Sequence, residues 1–191
     1  MAKHIIVGMT GASGAIYGYT LITALLSMGF EVDGIVTQAG EKVLAYEGEE
    51  FLPESGITAL GSEFRLHAVD DLFSPLASGS YPVAGMAVIP CSMNTLGLLA
   101  NGVGDSLLAR AAQVTLKERR PLIVVPREMP YGIIQLENML RLARAGAVIL
   151  PASPGFYHHP ESIHDLVNHV VGRVLDQFGI EHQLYPRWQG V

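Results

Sequence analysis

The chain has 191 residues, of which 49% are hydrophobic and 16% charged, with a formal net charge of −6 at pH 7. This length suits one α/β domain with a full core, and the negative charge argues against a nucleic-acid binder. No apolar run reaches the roughly 18 residues of a membrane span, and a single cysteine excludes an intrachain disulfide and fits the cytoplasm. Because the charged fraction is low, we expect apolar surface to be buried between subunits of a homo-oligomer. Met1–His4 runs directly into a strand, so we expect no signal peptide.

Predicted strands and helices alternate along the chain. The strands cover residues 4–7, 31–36, 85–89, 121–126 and 147–150. The helices cover residues 15–28, 39–47, 95–100, 106–119, 133–145 and 162–178. Asp105 is the expected N-cap of the fourth helix, and residues 48–82 are the least regular segment. The alternation predicts a single α/β domain over residues 1–191, with a parallel sheet covered by helices on both faces.

The run His4–Gly14 joins the first strand to a glycine-rich loop. Gly8, Gly11 and Gly14 stand at every third position before an alanine-rich amphipathic helix. Glycines let the backbone approach a ligand, and the free N–H groups of a helix start favour an anion. The spacing fits neither the dinucleotide fingerprint nor the P-loop. The loop therefore predicts a phosphate binder, with a tight turn made for packing as the alternative.

Unusual loops follow every predicted strand at its carboxyl end, where a parallel α/β sheet binds its ligands. They are the glycine loop and residues 37–38, 90–95, 127–130 and 151–160. Turn chemistry alone hardly explains five such loops on one edge, so we expect a ligand site there. Arg127 can hold phosphate oxygens in a bidentate fork, and Glu128 can deliver a proton to a leaving group. The alternative for this pair is a surface ion pair.

Two small side chains in these loops, Ser13 and Cys91, can be explained by a structural role as well as by a functional one. The Ser13 hydroxyl can face a phosphate, or it can only cap the first helix. Cys91 could be proposed as a nucleophile, but no histidine neighbours it in the sequence. We interpret Cys91 as a packing residue.

Segments spread over the whole chain, in the right order, resemble the flavin prenyltransferase (UbiX-like) family. These are residues 10–15, 89–96, 116–122, 127–130, 173–178 and 187–190. The resemblance implies a Rossmann-like, flavodoxin-related fold, assembled as a dodecamer. It implies transfer of a dimethylallyl group from dimethylallyl monophosphate to N5 of reduced FMN, with ring closure at C6. The product, prenylated FMN, would serve a UbiD-type decarboxylase in ubiquinone or aromatic-acid pathways.

The resemblance also implies a flavin site and a catalytic set. Thr37 would reach the FMN phosphate, although the family often has serine followed by lysine there and this chain has Gln38. Ser13 and Glu47 would lie near N5, and Glu128 would protonate the leaving phosphate. The other expected FMN contacts are Gly11, Ala12, Ser92, Met93, Asn94, Thr95 and Arg127.

Five side chains match the family's ligands for the substrate phosphate: Arg110, Lys117, Arg127, Tyr157 and Arg173. Without the resemblance, we interpret Arg110 and Lys117 as solvent-exposed residues on one face of a helix. Arg173 would then form an ion pair with Asp176 or Asp165. In the family the matching arginine and lysine often reach the phosphate across a subunit boundary. Trp188 resembles an aromatic residue that closes the prenyl pocket. It belongs to a tail, about residues 180–191, that would dock at a subunit interface. Without the resemblance, we interpret Trp188 as a residue that anchors this tail.

The histidines do not suggest a metal site. His158 and His159 are adjacent, and His164 and His169 are five apart, which misses the ligand spacing of a helix face. We expect electrostatic catalysis without a metal. We interpret His67 as structural, although related flavin-dependent cysteine decarboxylases use a histidine in a comparable segment.

Two rival functions remain open. The first is a flavin-dependent cysteine decarboxylase of the same fold, which would need an essential histidine and lack the phosphate ligands. The second is a non-enzymatic FMN carrier of flavodoxin type, which would not need the cationic residues or Glu128.

Overall fold

Six strands run parallel in one sheet in the computed structural model, which describes residues 4–53 and 56–190. They are β1 (His4–Met9), β2 (Glu31–Val36), β3 (Phe64–His67), β4 (Gly85–Cys91), β5 (Leu122–Pro126) and β6 (Val148–Ile149). The helices are α1 (Ala15–Ser27), α2 (Gln38–Glu47), α3 (Met93–Ala100), α4 (Leu107–Lys117), α5 (Ile133–Arg144) and α6 (Ile163–Gln177). Three 3₁₀ turns cover Gly48–Glu50, Ile57–Ala59 and Pro75–Ala77. The expected lack of a signal peptide concerns residues 1–3, outside the described residues.

The strand order is β3-β2-β1-β4-β5-β6, the order of the Rossmann doubly wound sheet. The chain reverses its direction of winding between β1 and β4, which pair in register from Ile5 with Gly85 to Gly8 with Val88. Ligands of such sheets bind in the crevice beyond the carboxyl ends of the two central strands. The predicted single Rossmann-like domain is confirmed, and the crevice lies where the glycine loop follows β1.

Two apolar layers hold helices against the two faces of the sheet. Alternate residues of β1 point to opposite faces, so Ile5 packs in the layer under α1 and α6, and Ile6 packs in the layer under α3 and α4. Both residues are at most 1% exposed. The prediction of helices on both faces is therefore confirmed. Within the described residues no helix is long and apolar enough to cross a membrane.

Several details differ from the sequence prediction: β1 ends at Met9, β4 ends at Cys91, and α3 begins at Met93. The irregular segment 48–82 contains β3, a four-residue edge strand whose Arg65 interrupts any apolar run. The N-cap of α4 is Ser106, not Asp105, because the Ser106 hydroxyl accepts the Ala109 N–H at 3.3 Å. The last strand, β6, has two residues and not four, since only Val148 and Ile149 pair with β5.

Candidate active site

The amino-terminal ends of three helices meet at one cavity of about 410 Å³ beyond the carboxyl ends of the central strands. Their N-caps are Thr37 of α2, Ser92 of α3 and Ser106 of α4, and all three residues line the cavity. Each N-cap hydroxyl accepts a backbone N–H from the first turn of its own helix. Because a helix start carries partial positive charge and free N–H groups, the cavity favours an anionic group such as a phosphate.

Most of the predicted flavin contacts lie around this cavity: Gly11, Thr37, Ser92, Asn94 and Thr95 line it. Gly11 is needed for the close approach of the loop after β1 to the start of α2. A Cβ atom at this position would lie 2.5 Å from the Cβ of Ala39. Two of the other predicted contacts pack inward, because Ala12 is 2% exposed and Met93 packs against a core cluster.

A hydroxyl that the sequence analysis missed ties the two central loops together. The Thr10 hydroxyl donates to the carbonyl of Pro90 and accepts the N–H of Ser92, both at 2.8 Å. Thr10 is 2% exposed, and its two hydrogen bonds join the ends of β1 and β4 next to Gly11 and Ser92, which line the cavity. Its position at a strand end was the only signal in the sequence, and it did not distinguish Thr10 from the glycines beside it.

Glu47, from the end of α2, caps the start of α1. Its carboxylate accepts hydrogen bonds from the N–H groups of Gly14 and Ala15 at 2.8 and 2.9 Å. It also forms a hydrogen bond with the side chain of Ser13. Burial alone would raise the pKa of Glu47, but these hydrogen bonds and the charge of Arg127 outweigh burial and lower it. Glu47 is therefore an ionised acceptor at neutral pH. The alternative that Ser13 caps α1 is wrong, because the N-cap residue is Gly14 and the cap comes from Glu47.

Arg127 and Glu128 line a second cavity of about 470 Å³ at the end of β5. The Nε–H of Arg127 is buried and has no partner among the described residues, although its backbone N–H donates to the Cys91 carbonyl at 3.2 Å. Glu128 is exposed and accepts the N–H of Met129 at 3.0 Å. Burial and the negative charge of Glu128 raise the pKa of Tyr131 on the same wall. A guanidinium donor without a partner beside a carboxyl group suits an anionic ligand that receives a proton.

Comparisons with known proteins agree with this geometry. The Flavoprotein family profile matches residues 1–175. The chain is 46% identical to a flavin prenyltransferase UbiX of Halalkalibacterium halodurans, over 95% of this chain and 91% of that protein. It is 47% identical to the UbiX of Aquifex aeolicus, over 95% and 96%. The chain belongs to the UbiX flavin prenyltransferase family.

Solved structures of UbiX proteins share the whole fold. The structure of AnUbiX (PadA1) in complex with FMN and dimethylallyl pyrophosphate superposes with a TM-score of 0.94 at 40% identity, covering 100% of both chains. A dodecameric FMN-dependent UbiX-like decarboxylase from Escherichia coli O157:H7 superposes with a TM-score of 0.91 at 46% identity, covering 98% of this chain and 100% of that chain. The chain therefore shares the fold of two UbiX proteins, one bound to FMN and one dependent on it.

Tyr157 and Trp188, two predicted ligands of the prenyl donor, are in contact in this prenyltransferase. Their rings meet edge to face with centroids 5.7 Å apart. Arg173 donates to Asp176 at 2.7 Å and lies 3.4 Å from the hydroxyl of Tyr185. Of the two pairings predicted for Arg173 alone, the structure shows the one with Asp176. An ion pair does not prevent this arginine from using its other N–H groups on a phosphate.

Arg110 and Lys117 lie along α4, which leads away from the cavity at Ser106. The Arg110 Nε donates to the Ala77 carbonyl at 3.2 Å, and Lys117 is paired with Glu118. At 1.5 Å per residue, Lys117 stands about 16 Å along the helix from Ser106. Neither Arg110 nor Lys117 lines the cavity at the three helix starts or the cavity of Arg127 and Glu128.

His67 and Cys91 occupy structural positions in the UbiX fold. The Nε2 of His67 is 2.8 Å from buried Asp33, and its Nδ1 is 3.1 Å from the Ser74 hydroxyl, so both ring nitrogens are engaged. Cys91 is fully buried, and burial raises the pKa of its thiol, so it packs as an inert residue. Within the described residues there is no group of three or more histidine, cysteine or acidic side chains that could hold a metal ion.

Proposed function

We propose that this chain transfers a dimethylallyl group from dimethylallyl monophosphate to reduced FMN, with FMN in the cavity at the three helix starts. The proposal rests on one observation, which is that two sites lie next to each other. One is an anion cavity made by Thr37, Ser92 and Ser106, and the other is a cavity in which Arg127 and Glu128 stand together. The Arg127 backbone N–H donates to the carbonyl of Cys91 at 3.2 Å, and Cys91 precedes Ser92 of the first cavity, so the two sites are neighbours.

The residues of the first cavity fit FMN. The helix starts provide donors for its phosphate, and Gly11 lets the loop after β1 pack against the start of α2 at the wall of the cavity. Reduced FMN supplies the nucleophilic N5 and the carbon C6 that closes the new ring. The ionised Glu47 holds the start of α1 and the Ser13 hydroxyl, which would lie beside that ring.

The residues of the second cavity act on the prenyl donor. The bond between the allylic carbon and the phosphate oxygen breaks, and its electron pair leaves with the phosphate. Arg127 stabilises the charge that develops on the phosphate, and Glu128 delivers a proton to it. Tyr157 and Arg173 donate to the same phosphate, while Trp188 closes the pocket around the allylic group, whose developing positive charge aromatic faces favour.

Lys117 and Arg110 enter the site from another copy of the chain. Four apolar side chains of α5 are exposed by half or more, Ile133, Ile134, Leu136 and Leu140, which is the surface expected of an oligomer contact. The dodecameric relative supports a dodecamer for this chain as well. We also propose a UbiD-type decarboxylase as the recipient of the product, and a cytoplasmic location, which the single buried thiol fits.

The experiment follows the leaving group with each donor. The full-length protein is mixed with reduced FMN and either dimethylallyl monophosphate or the pyrophosphate found in the AnUbiX complex. We expect release of inorganic phosphate from the monophosphate at the higher kcat/KM. Faster release of pyrophosphate from the other donor would overturn the choice of donor, and release from neither would overturn the proposal.

A further inference from the structure

His169 of α6 is a buried histidine to which neither the fold nor the proposed mechanism has given a role. It is 8% exposed and sits between three other aromatic rings. The His158 ring stacks on it with centroids 5.1 Å apart at 4°, and the rings of Tyr157 and Tyr185 lie 5.7 and 4.8 Å away. His169 thus lies at the centre of a cluster that includes Tyr157.

The hydrogen bonds of His169 fix its tautomer. The Gly155 backbone N–H donates to Nδ1 at 3.4 Å, so Nδ1 carries no proton. The proton of a neutral ring is then on Nε2, which lies 3.3 Å from the hydroxyl oxygen of Tyr157. His169 is therefore the donor and Tyr157 the acceptor in this bond.

The surroundings of His169 keep the ring neutral. The pKa of His169 is lowered, and burial of the ring is the largest cause. The charges of His158 and Arg173 lower the pKa further, and the charge of Asp176 opposes them without reversing the shift. A neutral ring keeps Nδ1 free to accept from Gly155, so the tautomer persists at neutral pH.

The tautomer of His169 determines which way the Tyr157 hydroxyl can donate. Its oxygen already accepts the Nε2–H of His169, so its own proton cannot be given to that ring and is available to another acceptor. Tyr157 is 40% exposed, so a ligand can reach this hydroxyl. We infer that His169 is a positioning residue that orients the Tyr157 hydroxyl as a donor toward the phosphate ester of the substrate. This inference rests on the proposed function, in which Tyr157 binds that phosphate.

The test measures binding without turnover. Calorimetry with the assembled protein, loaded with oxidised FMN, gives the Kd of dimethylallyl monophosphate and of inorganic phosphate. His169→Phe keeps a ring in the cluster but removes both nitrogens, and we expect it to weaken both ligands about fivefold, the effect of one hydrogen bond. His164→Phe, at an exposed position of the same helix, is the matched control and should bind both ligands normally. FMN affinity should be unchanged in both variants.

The double variant separates positioning from general damage. If His169 acts through Tyr157, then Tyr157→Phe with His169→Phe binds no more weakly than Tyr157→Phe alone. His169→Gln, whose amide N–H can replace Nε2–H, should recover most of the affinity, whereas His169→Asn, which is too short, should not. The Gln and Asn pair also decides the matter if His169→Phe fails to assemble.

Four results would overturn the inference: normal affinity in His169→Phe, an additive loss in the double variant, equal affinities of the Gln and Asn variants, or no binding of either ligand to the parent protein. Failure of the proposed function looks different. The parent protein would then bind dimethylallyl monophosphate in a His169-dependent way but would transfer no prenyl group after FMN is reduced.

Discussion

The carboxylate of Glu47 accepts the backbone N–H of Ala15 at 2.9 Å, so a side chain at the end of α2 caps the beginning of α1. This bond crosses 32 residues of sequence and fixes the glycine loop against the neighbouring helix. Because the loop borders the proposed FMN cavity, the cap connects the stability of α1 with the binding of the flavin.

Replacing Glu47 with alanine should therefore affect both properties. Two N–H groups at the helix start would lose their partner, which costs about 1 kcal/mol, or roughly 2–4 °C in Tm for a chain of this size. We expect FMN affinity to fall about tenfold as well, because the loop is no longer fixed. Thermal unfolding and flavin titration measure the two effects. Glu49→Ala, an exposed neighbour, is the control, and an unchanged Tm and FMN affinity in Glu47→Ala would contradict the role of the cap.

Glu128→Gln should separate FMN binding from catalysis. The amide keeps the shape of the side chain but cannot deliver a proton, so we expect FMN binding to be retained and turnover to fall by about a hundredfold or more. His67→Ala should keep most of its turnover, because that ring is held by Asp33 and Ser74 and faces no reacting group in the proposed mechanism. Full activity of Glu128→Gln together with an inactive His67→Ala would instead favour the cysteine decarboxylase reaction.

Lys117 should act on the active site of another subunit. Lys117→Ala is expected to raise the KM of the prenyl donor and leave FMN binding unchanged. Oligomers that contain both Lys117→Ala and Glu128→Gln chains should regain activity, since some sites then combine an intact Lys117 with an intact Glu128. Activity measured after coexpression, compared with each single variant, checks this. No recovery in verified mixed oligomers, or a monomer by light scattering, would rule out shared sites.

Asp176 should make stability depend on pH at the acidic end. Burial alone would raise its pKa, but hydrogen bonds from Arg187, Tyr185 and His182 outweigh burial and lower the pKa from 3.8 to about 2. A carboxyl group with a lowered pKa stabilises the folded state above its unfolded pKa, and this contribution disappears as the pH falls from about 4 to 2.

The corresponding variant is Asp176→Asn, which should lower the free energy of unfolding at pH 7 by about 2 kcal/mol, or roughly 4–8 °C in Tm. The difference from the parent protein should shrink between about pH 4 and pH 2. Asp70→Asn, at an exposed position, serves as the control and should change little at any pH. A difference in Tm that stays constant down to pH 2 would show that the charge of Asp176 is not responsible.

The sequence was sufficient for the parts of the fold that depend on local pattern. Apolar runs and glycine loops predicted the central strands, their parallel direction and the sheet edge at which the cavity at the helix starts lies. The short β3 was missed because an edge strand is fixed by pairing with β2, which local pattern does not encode. The choice of Ser106 over Asp105 as the α4 cap depends on backbone geometry in the same way.

The candidate site likewise has features that the sequence predicts and features that only the folded chain determines. The placement of Thr37 and Ser92 at one cavity could be predicted, because strand ends of a parallel sheet share one edge. The bonds of Glu47 to Gly14 and of Tyr157 to His169 could not be predicted, since they join segments whose contact only the folded chain determines. The position of Lys117, about 16 Å along α4 from the cavity at Ser106, likewise follows from the direction of the helix and not from the residue types.

The most direct test of the central claim is the mass of the flavin after one reaction. The protein is mixed with reduced FMN and dimethylallyl monophosphate in the presence of a chelator, and the extracted flavin is analysed by mass spectrometry. We expect a flavin that is heavier by one dimethylallyl unit, in an amount close to one per chain and unaffected by the chelator. Unmodified FMN from a protein that has bound both molecules would contradict prenyl transfer by this chain.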